Sequence, residues 1–247
     1  MYSFDTKIRY SELNKERVLR PEAIVNYLQD CTTFHSDSLG ADVEFYMNEK
    51  KVWVLNSWQI EIKRQLQANE IIKVCTWPYD FSGAYGHRNF LIKDSEGNDV
   101  VQANTLWVFT DLNSMRPVKV PADITKFYTL DDKLDMNYLD RKIKIPEGLL
   151  ADIKENVPIR RNFIDSNGHV NNGKYIECAS EYIPDGFNVE RIRAEYKRES
   201  KYGDVFYPVV YTRNNDNKTM SIWVSLNSGS IDENGKPYAI VQFDIYK

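Results

Sequence analysis

The chain repeats itself, and no other feature constrains its fold as much. Residues 2–34, "YSFDTKIRYSELNKERVLRPEAIVNYLQDCTTF", open with an alternating pattern, turn, and enter an apolar-periodic segment. Residues 157–187, "VPIRRNFIDSNGHVNNGKYIECASEYIPDGF", follow the same order, with Ile159-Arg160 standing 151 residues after Ile8-Arg9. A second match follows. "EIKRQLQANEIIKVCTW" (61–77) lies over "EYKRESKYGDVFYPVVY" (195–211), now 134 residues apart, so the first half carries a longer helix or helix-to-strand connection. A unit copied within one chain must bury its apolar face in the same way twice.

The periodicities predict the elements. Pro21 suits a first helical turn, where its missing N–H costs nothing. Ile24, Val25, Leu28, Cys31 and Thr32 then fall on one face at a 3.6-residue period, and the helix is expected to stop near Gly40. In the second copy Tyr175, Ile176, Ala179, Tyr182 and Ile183 form that face, with Pro184 and Gly186 as the stop. Paired strand patterns follow in each half, with turns at Glu96-Gly97-Asn98 and at Asn234-Gly235. Each half thus reads as strand, long helix and about four strands. The expected fold is α+β: two tandem hotdog domains, each a long helix wrapped by an antiparallel β-sheet. Residues 1–128 form the first domain, a charged stretch 129–155 the linker, and 156–247 the second domain.

Composition narrows the function. The net charge of −4 leaves no basic footprint for nucleic acid. No apolar run approaches the ~18 residues of a membrane span, and the N-terminus lacks a signal-peptide pattern. Cys31, Cys75 and Cys178 are widely spaced and odd in number, which speaks against a disulfide framework or a metal site. No cofactor or metal is expected, and a reduced, cytoplasmic setting is.

The two copies differ where chemistry would sit. The second carries Asp165, Asn167, His169 and Glu199; the first has Asn14, Glu16, Val18 and Gln65 at the aligned positions. Read singly, each residue has a plain structural account. Asp165 and Asn167 suit a turn, Asn171 or Asn172 a helix N-cap, and Glu199 a solvated charge beside Lys197, Arg198 and Lys201. Read together, they supply an imidazole, an amide and two carboxylates that the sister copy lacks. Glu199 could activate water, with His169 positioning it or passing a proton. Asn167, Gly168 and loop amides at the helix start could hold an oxyanion, with Asn171 supporting the loop. Cys178 lies on the helix's apolar side, where packing is the expected role, and no G-x-S-x-G elbow appears.

At these residues the chain resembles the fatty acyl–acyl-carrier-protein thioesterases of plants and bacteria. The loop from Arg161 to Tyr175 is similar to their catalytic loop, and "YKRES" (196–200) to their second catalytic segment. "WVFTDLNSMRPVKVP" (107–121) and "TWPYDFSGAYGHRNF" (76–90) resemble further family stretches. The resemblance implies a double hotdog that hydrolyses the thioester between a fatty acyl chain and the phosphopantetheine arm of acyl carrier protein, ending chain elongation. It carries the family's catalytic residues onto Asp165, Asn167, His169 and Glu199. Some plant members have Cys after the Glu; Ser200 here favours water activated by a carboxylate. Plant members also carry a transit peptide. None is visible, which points to a bacterial, cytoplasmic enzyme.

The acyl tail is expected in the first half, with Val25, Leu28, Thr32 and Trp58 as candidate lining. Acyl carrier protein is acidic, so Arg141, Lys142 and Lys144, or Lys197, Arg198 and Lys201, are candidate contacts. Homodimer formation is left open. The rival readings are a hotdog thioesterase acting on acyl-CoA and a non-catalytic acyl-binding module.

Overall fold

The computed structural model describes residues 1–230 and 235–247. The chain divides into two units, Met1–Leu139 and Asp140–Lys247. Asn234 of the expected turn lies outside the described residues.

Unit 1 begins with β1 (Tyr2–Lys7), whose residues alternate between half-buried and exposed, as befits an edge strand. Helix α1 (Pro21–Ser38) follows, with Pro21 in its first turn. Its buried face carries Ile24, Val25, Leu28, Cys31 and His35, the expected period extended by one polar residue. It ends where Gly40 takes φ +73°, donating its N–H to Asp37 O at 3.0 Å. A short helix, α2 (Val43–Asn48), is capped by the Asp42 side chain. Then come β2 (Lys51–Ile62), β3 (Ile71–Ser82), β4 (Tyr85–Lys93), β5 (Asp99–Asp111), the short β6 (Arg116–Pro117) and a single turn of helix, α3 (Ala122–Thr125). The sheet is antiparallel in the order β1-β3-β4-β5-β2, with β6 added on β5. α1 packs against β3 and β1.

Unit 2 holds β7 (Asp152–Ile153), β8 (Val157–Pro158), α4 (Asn172–Ser180), β9 (Asn188–Tyr196), β10 (Val205–Asn214), β11 (Thr219–Asn227) and β12 (Pro237–Tyr246). Its order, β7-β10-β11-β12-β9 with β8 also on β10, repeats that of unit 1. Both units are therefore α+β with antiparallel sheets. α4 stops at Ser180, so Tyr182 and Ile183, expected on its face, lie in the turn beyond it. Pro184 accounts for this, because its ring disfavours helical backbone at the preceding residue.

The repeat holds at the level of individual hydrogen bonds. Ile8 N–H donates to Glu70 O at 3.0 Å, and Ile159 N–H to Asp204 O at 3.0 Å. Leu19 N–H donates to Leu66 O at 2.8 Å, and Val170 N–H to Ser200 O at 2.9 Å. The partners in each pair stand at the two spacings read from sequence, 151 and 134. The register Lys7↔Ile71 likewise matches Pro158↔Val205.

The residues read as a linker divide between the units. In unit 1, Trp77 Nε1 donates to Asp132 O at 2.8 Å and Asn89 Oδ1 accepts from Leu134 N–H at 3.0 Å. In unit 2, Ile143 packs on Trp223 and Ile240, and its N–H donates to Glu195 Oε2 at 2.9 Å. Among the described residues no helix is long and apolar enough to cross a membrane.

Candidate active site

The loop between β8 and α4 is a tight turn. Asp165 N–H donates to His169 O at 2.8 Å and Gly168 N–H to Asp165 O at 3.1 Å. Gly168 sits at φ +79°, a conformation only glycine adopts without strain. Asp165 Oδ1 accepts the backbone N–H groups of Asn167 at 2.8 Å and His169 at 3.3 Å. The carboxylate thus acts on the backbone under Asn167 and His169.

The first copy builds the same turn without the same chemistry. Asn14 N–H donates to Val18 O at 2.8 Å, Arg17 N–H to Asn14 O at 3.0 Å, and Val18 N–H to Asn14 Oδ1 at 2.9 Å. Arg17, where the second copy has Gly168, takes φ +64°. An acid or amide at position 14 or 165 therefore needs no function beyond the turn.

As Leu19 N–H and Leu66 O do in unit 1, Val170 N–H and Ser200 O hold the segment after β9 against the loop. What separates the copies is the next contact: His169 Nε2 lies 3.0 Å from Glu199 Oε2, with the two side chains 30% and 40% exposed. The aligned positions in unit 1 hold Val18 and Gln65, which cannot form such a pair. A solvent-reached imidazole–carboxylate pair can polarise a water molecule and relay its proton. Asn167 is exposed on the same turn.

Beneath the pair lies a contact the sequence reading missed. Ser200 is fully buried, its Oγ 2.7 Å from Tyr175 Oη, which also accepts the Ser200 N–H at 3.2 Å. Burial pushes the Tyr175 phenol up to about 12, so it stays a hydrogen-bonding hydroxyl. Tyr175 had a signal, as an aromatic on the helix's apolar face, but that signal reads as packing. Tyr196 Oη donates to Asn172 O at 3.0 Å and ties the same strand to the start of α4.

Other expectations change. The amides of Asn167, Gly168 and His169 are spent within the turn, so they do not face outward as oxyanion donors. A turn of this length closes by consuming its own N–H groups. Asn171 is the N-cap of α4, its Oδ1 accepting Gly173 N–H at 2.8 Å. Cys178 is buried, and burial pushes its thiol up to about 12, which leaves no thiolate to attack. Among the described residues no group of three His, Cys, Asp or Glu side chains is arranged to hold a metal ion.

Val25, Leu28 and Trp58 are buried in unit 1, while half-buried Thr32 donates its Oγ1 to Leu28 O at 3.2 Å. Of the basic candidates in unit 2, Lys197 Nζ pairs with Glu195 Oε1 at 2.8 Å, Arg198 stacks over the Tyr238 ring at 4.8 Å, and Lys201 is exposed.

The model of the acyl-ACP thioesterase N-terminal domain matches residues 1–128, and that of the acyl-ACP thioesterase C-terminal domain matches residues 148–239. Among curated proteins, a chloroplastic palmitoyl-acyl carrier protein thioesterase of Cuphea hookeriana is 28% identical over 209 residues, covering 78% of this chain and 50% of that protein. The chain spans about half the length of such relatives. An acyl-ACP thioesterase from Bacteroides thetaiotaomicron superposes with TM-score 0.83 at 20% identity, covering 98% of this chain and 96% of that one. The 12:0-ACP thioesterase of Umbellularia californica superposes with TM-score 0.84 at 18% identity, covering 99% and 93%. At such identities the structural likeness concerns the fold.

Proposed function

Since the chain belongs to the acyl-ACP thioesterase family, we propose that it hydrolyses the thioester joining a fatty acyl chain to the phosphopantetheine arm of acyl carrier protein. The products are a free fatty acid and the carrier thiol. The observation that carries this reading is the His169–Glu199 pair, 3.0 Å apart in unit 2 and replaced by Val18 and Gln65 in unit 1. In this reading each unit is a hotdog domain, unit 1 holds the acyl chain, and unit 2 performs the hydrolysis.

Glu199 takes a proton from water as its oxygen attacks the thioester carbonyl carbon. His169 holds Glu199 and the water in line. The Asn167 side-chain amide donates to the oxygen that becomes the oxyanion, since the amides of Asn167, Gly168 and His169 are occupied. As the tetrahedral intermediate collapses, the C–S bond breaks and the sulfur leaves with the proton taken from water. Asp165 keeps Asn167 and His169 in place through their backbone N–H groups. Val25, Leu28, Thr32 and Trp58 are the proposed lining for the chain.

The test is steady-state hydrolysis of matched acyl-carrier-protein and acyl-CoA thioesters. The wild type should favour the carrier-protein substrate. Glu199→Gln should lower kcat by 10²-fold or more, roughly the lower end of a positioned acid–base group's contribution, with the melting temperature retained. Full turnover in folded Glu199→Gln would remove the proposed base. A clear preference for acyl-CoA would instead favour the rival substrate.

A further inference from the structure

In unit 1, the sheet face that meets α1 is apolar except for Thr76 and one row of residues. The register sets Trp58 of β2 opposite Thr105 of β5, and Thr105 opposite Arg88 of β4, so the three share a face. Arg88 fixes which face: its Nη1 donates to His35 Nδ1 of α1 at 2.9 Å. Around the row the same face carries Ile60, Phe90, Ile92, Ala103 and Val101, each fully buried.

One donor in this row has no acceptor among the described residues, and a second uses only part of its capacity. Trp58 is 2% exposed, and its buried Nε1 has no hydrogen-bond partner among the described residues. Arg88 is 6% exposed, and its two hydrogen bonds, to His35 Nδ1 and to Thr76 Oγ1 at 3.2 Å, both leave from Nη1. The Tyr128 ring, 5.6 Å from the guanidinium carbon, answers its charge through a π face and offers no carboxylate. Thr105 cannot serve the indole, since its Oγ1 already accepts from Trp107 Nε1 at 2.9 Å and donates to Arg88 O at 3.3 Å. An indole N–H buried without an acceptor is costly in an apolar interior, and a guanidinium held there by one of its nitrogens is only partly answered. Trp223 Nε1 in unit 2 is also buried without a partner among the described residues, on a side chain packed with Ile143 and Ile240. A hydrocarbon chain would offer neither Trp58 nor Arg88 an acceptor.

We propose that unit 1 recognises acyl chains carrying an oxygen along their length, a hydroxyl or an oxo group, which accepts a hydrogen bond from Trp58 Nε1 or from the unused edge of Arg88. This rests on the reading of unit 1 as the acyl-chain domain and adds a substrate class to it. A hydroxyl or oxo oxygen is neutral, so it satisfies either donor without bringing a second buried charge. The backbones of directly opposed residues two strands apart stand about 10 Å from each other, so Trp58 and Arg88 are proposed to meet different oxygen positions along a chain.

The experiment is a binding series on the whole protein. Saturated free fatty acids of one length, with a single hydroxyl moved along the chain, are compared with the unsubstituted acid by calorimetry. At least one hydroxylated isomer should bind about tenfold tighter than its parent, the worth of one well-made buried hydrogen bond. In Trp58→Phe or Arg88→Met that ratio should fall to about one, and the variant that abolishes it identifies the donor. The melting temperature of each variant reports its fold. If no isomer outbinds its parent, or the preference survives both substitutions, the proposal is overturned. Binding does not depend on hydrolysis, which separates the two readings. Oxygen preference without thioester turnover would sink the proposed activity alone. Turnover of plain acyl thioesters without oxygen preference would sink this inference alone.

Discussion

Ser200 and His35 show what single buried side chains contribute. Ser200 touches neither water nor substrate in the proposed reaction, yet its carbonyl, amide and hydroxyl fix the loop bearing His169 and the segment after β9 bearing Glu199. Ser200→Ala should therefore lower kcat about tenfold, about 1.4 kcal/mol of transition-state positioning, and move KM less than twofold. Steady-state kinetics with a melting curve checks this. Tyr175→Phe, which removes the shared hydroxyl, should mimic it. His35 must be neutral to accept from Arg88, and burial, then the Arg88 charge, lower its pKa to about 4. The unfolded chain has its histidine near 6.5 and binds the proton first. Stability is thus full above about 6.5 and declines as the pH falls from there through about 4. His35→Asn, which keeps an acceptor, should flatten that part of the curve in denaturant titrations run from pH 7 to pH 4. The face read from sequence ended at Thr32, so neither His35 nor its partner was named there, although position 35 continues the period. Nothing in an alternating strand pattern says that an inward position holds arginine.

Among the elements, the repeat was legible because it rests on periodicity and on spacing, and both survive folding. The offsets 151 and 134 reappear as matched hydrogen bonds in the two units. Helix ends were less legible. Pro184 was visible as a stop, yet its reach back over Tyr182 and Ile183 comes from ring sterics that a periodicity count ignores. The direction of the loop amides was not legible at all, since it depends on the backbone angles of the turn. Asn171 was readable by type as a cap. Its loss in Asn171→Ala should cost about 1 kcal/mol of stability, measured by urea unfolding, and should loosen the loop that the cap anchors. Kinetics would report that loosening as a fall in kcat beyond what lost stability explains.

At the scale of the molecule, the two units share one strand order and differ in their load. Unit 1 has the long helix, eighteen residues against nine in α4, and the buried Arg88–His35 contact. Unit 2 has the exposed imidazole–carboxylate pair. The chain is acidic overall at −4, so an acidic carrier needs local basic groups to approach it. Lys201, exposed two residues beyond Glu199, is one such group in the proposed reading. Lys201→Glu should raise KM severalfold for acyl-carrier-protein thioesters while leaving turnover of neutral acyl-pantetheine thioesters unchanged. The KM difference should shrink as salt is added, because exposed charges are screened over about 8–10 Å at physiological ionic strength.

The turn in unit 1 keeps its shape with none of the proposed reactive groups on it. Asn14 and Arg17 close it as Asp165 and Gly168 close the other. The geometry is thus a socket, indifferent to what is plugged into it. Val18 and Gln65 occupy the two half-buried terminals. Installing histidine at one and glutamate at the other, Val18→His with Gln65→Glu, would wire a second imidazole–carboxylate pair into a chain that already carries the frame for it.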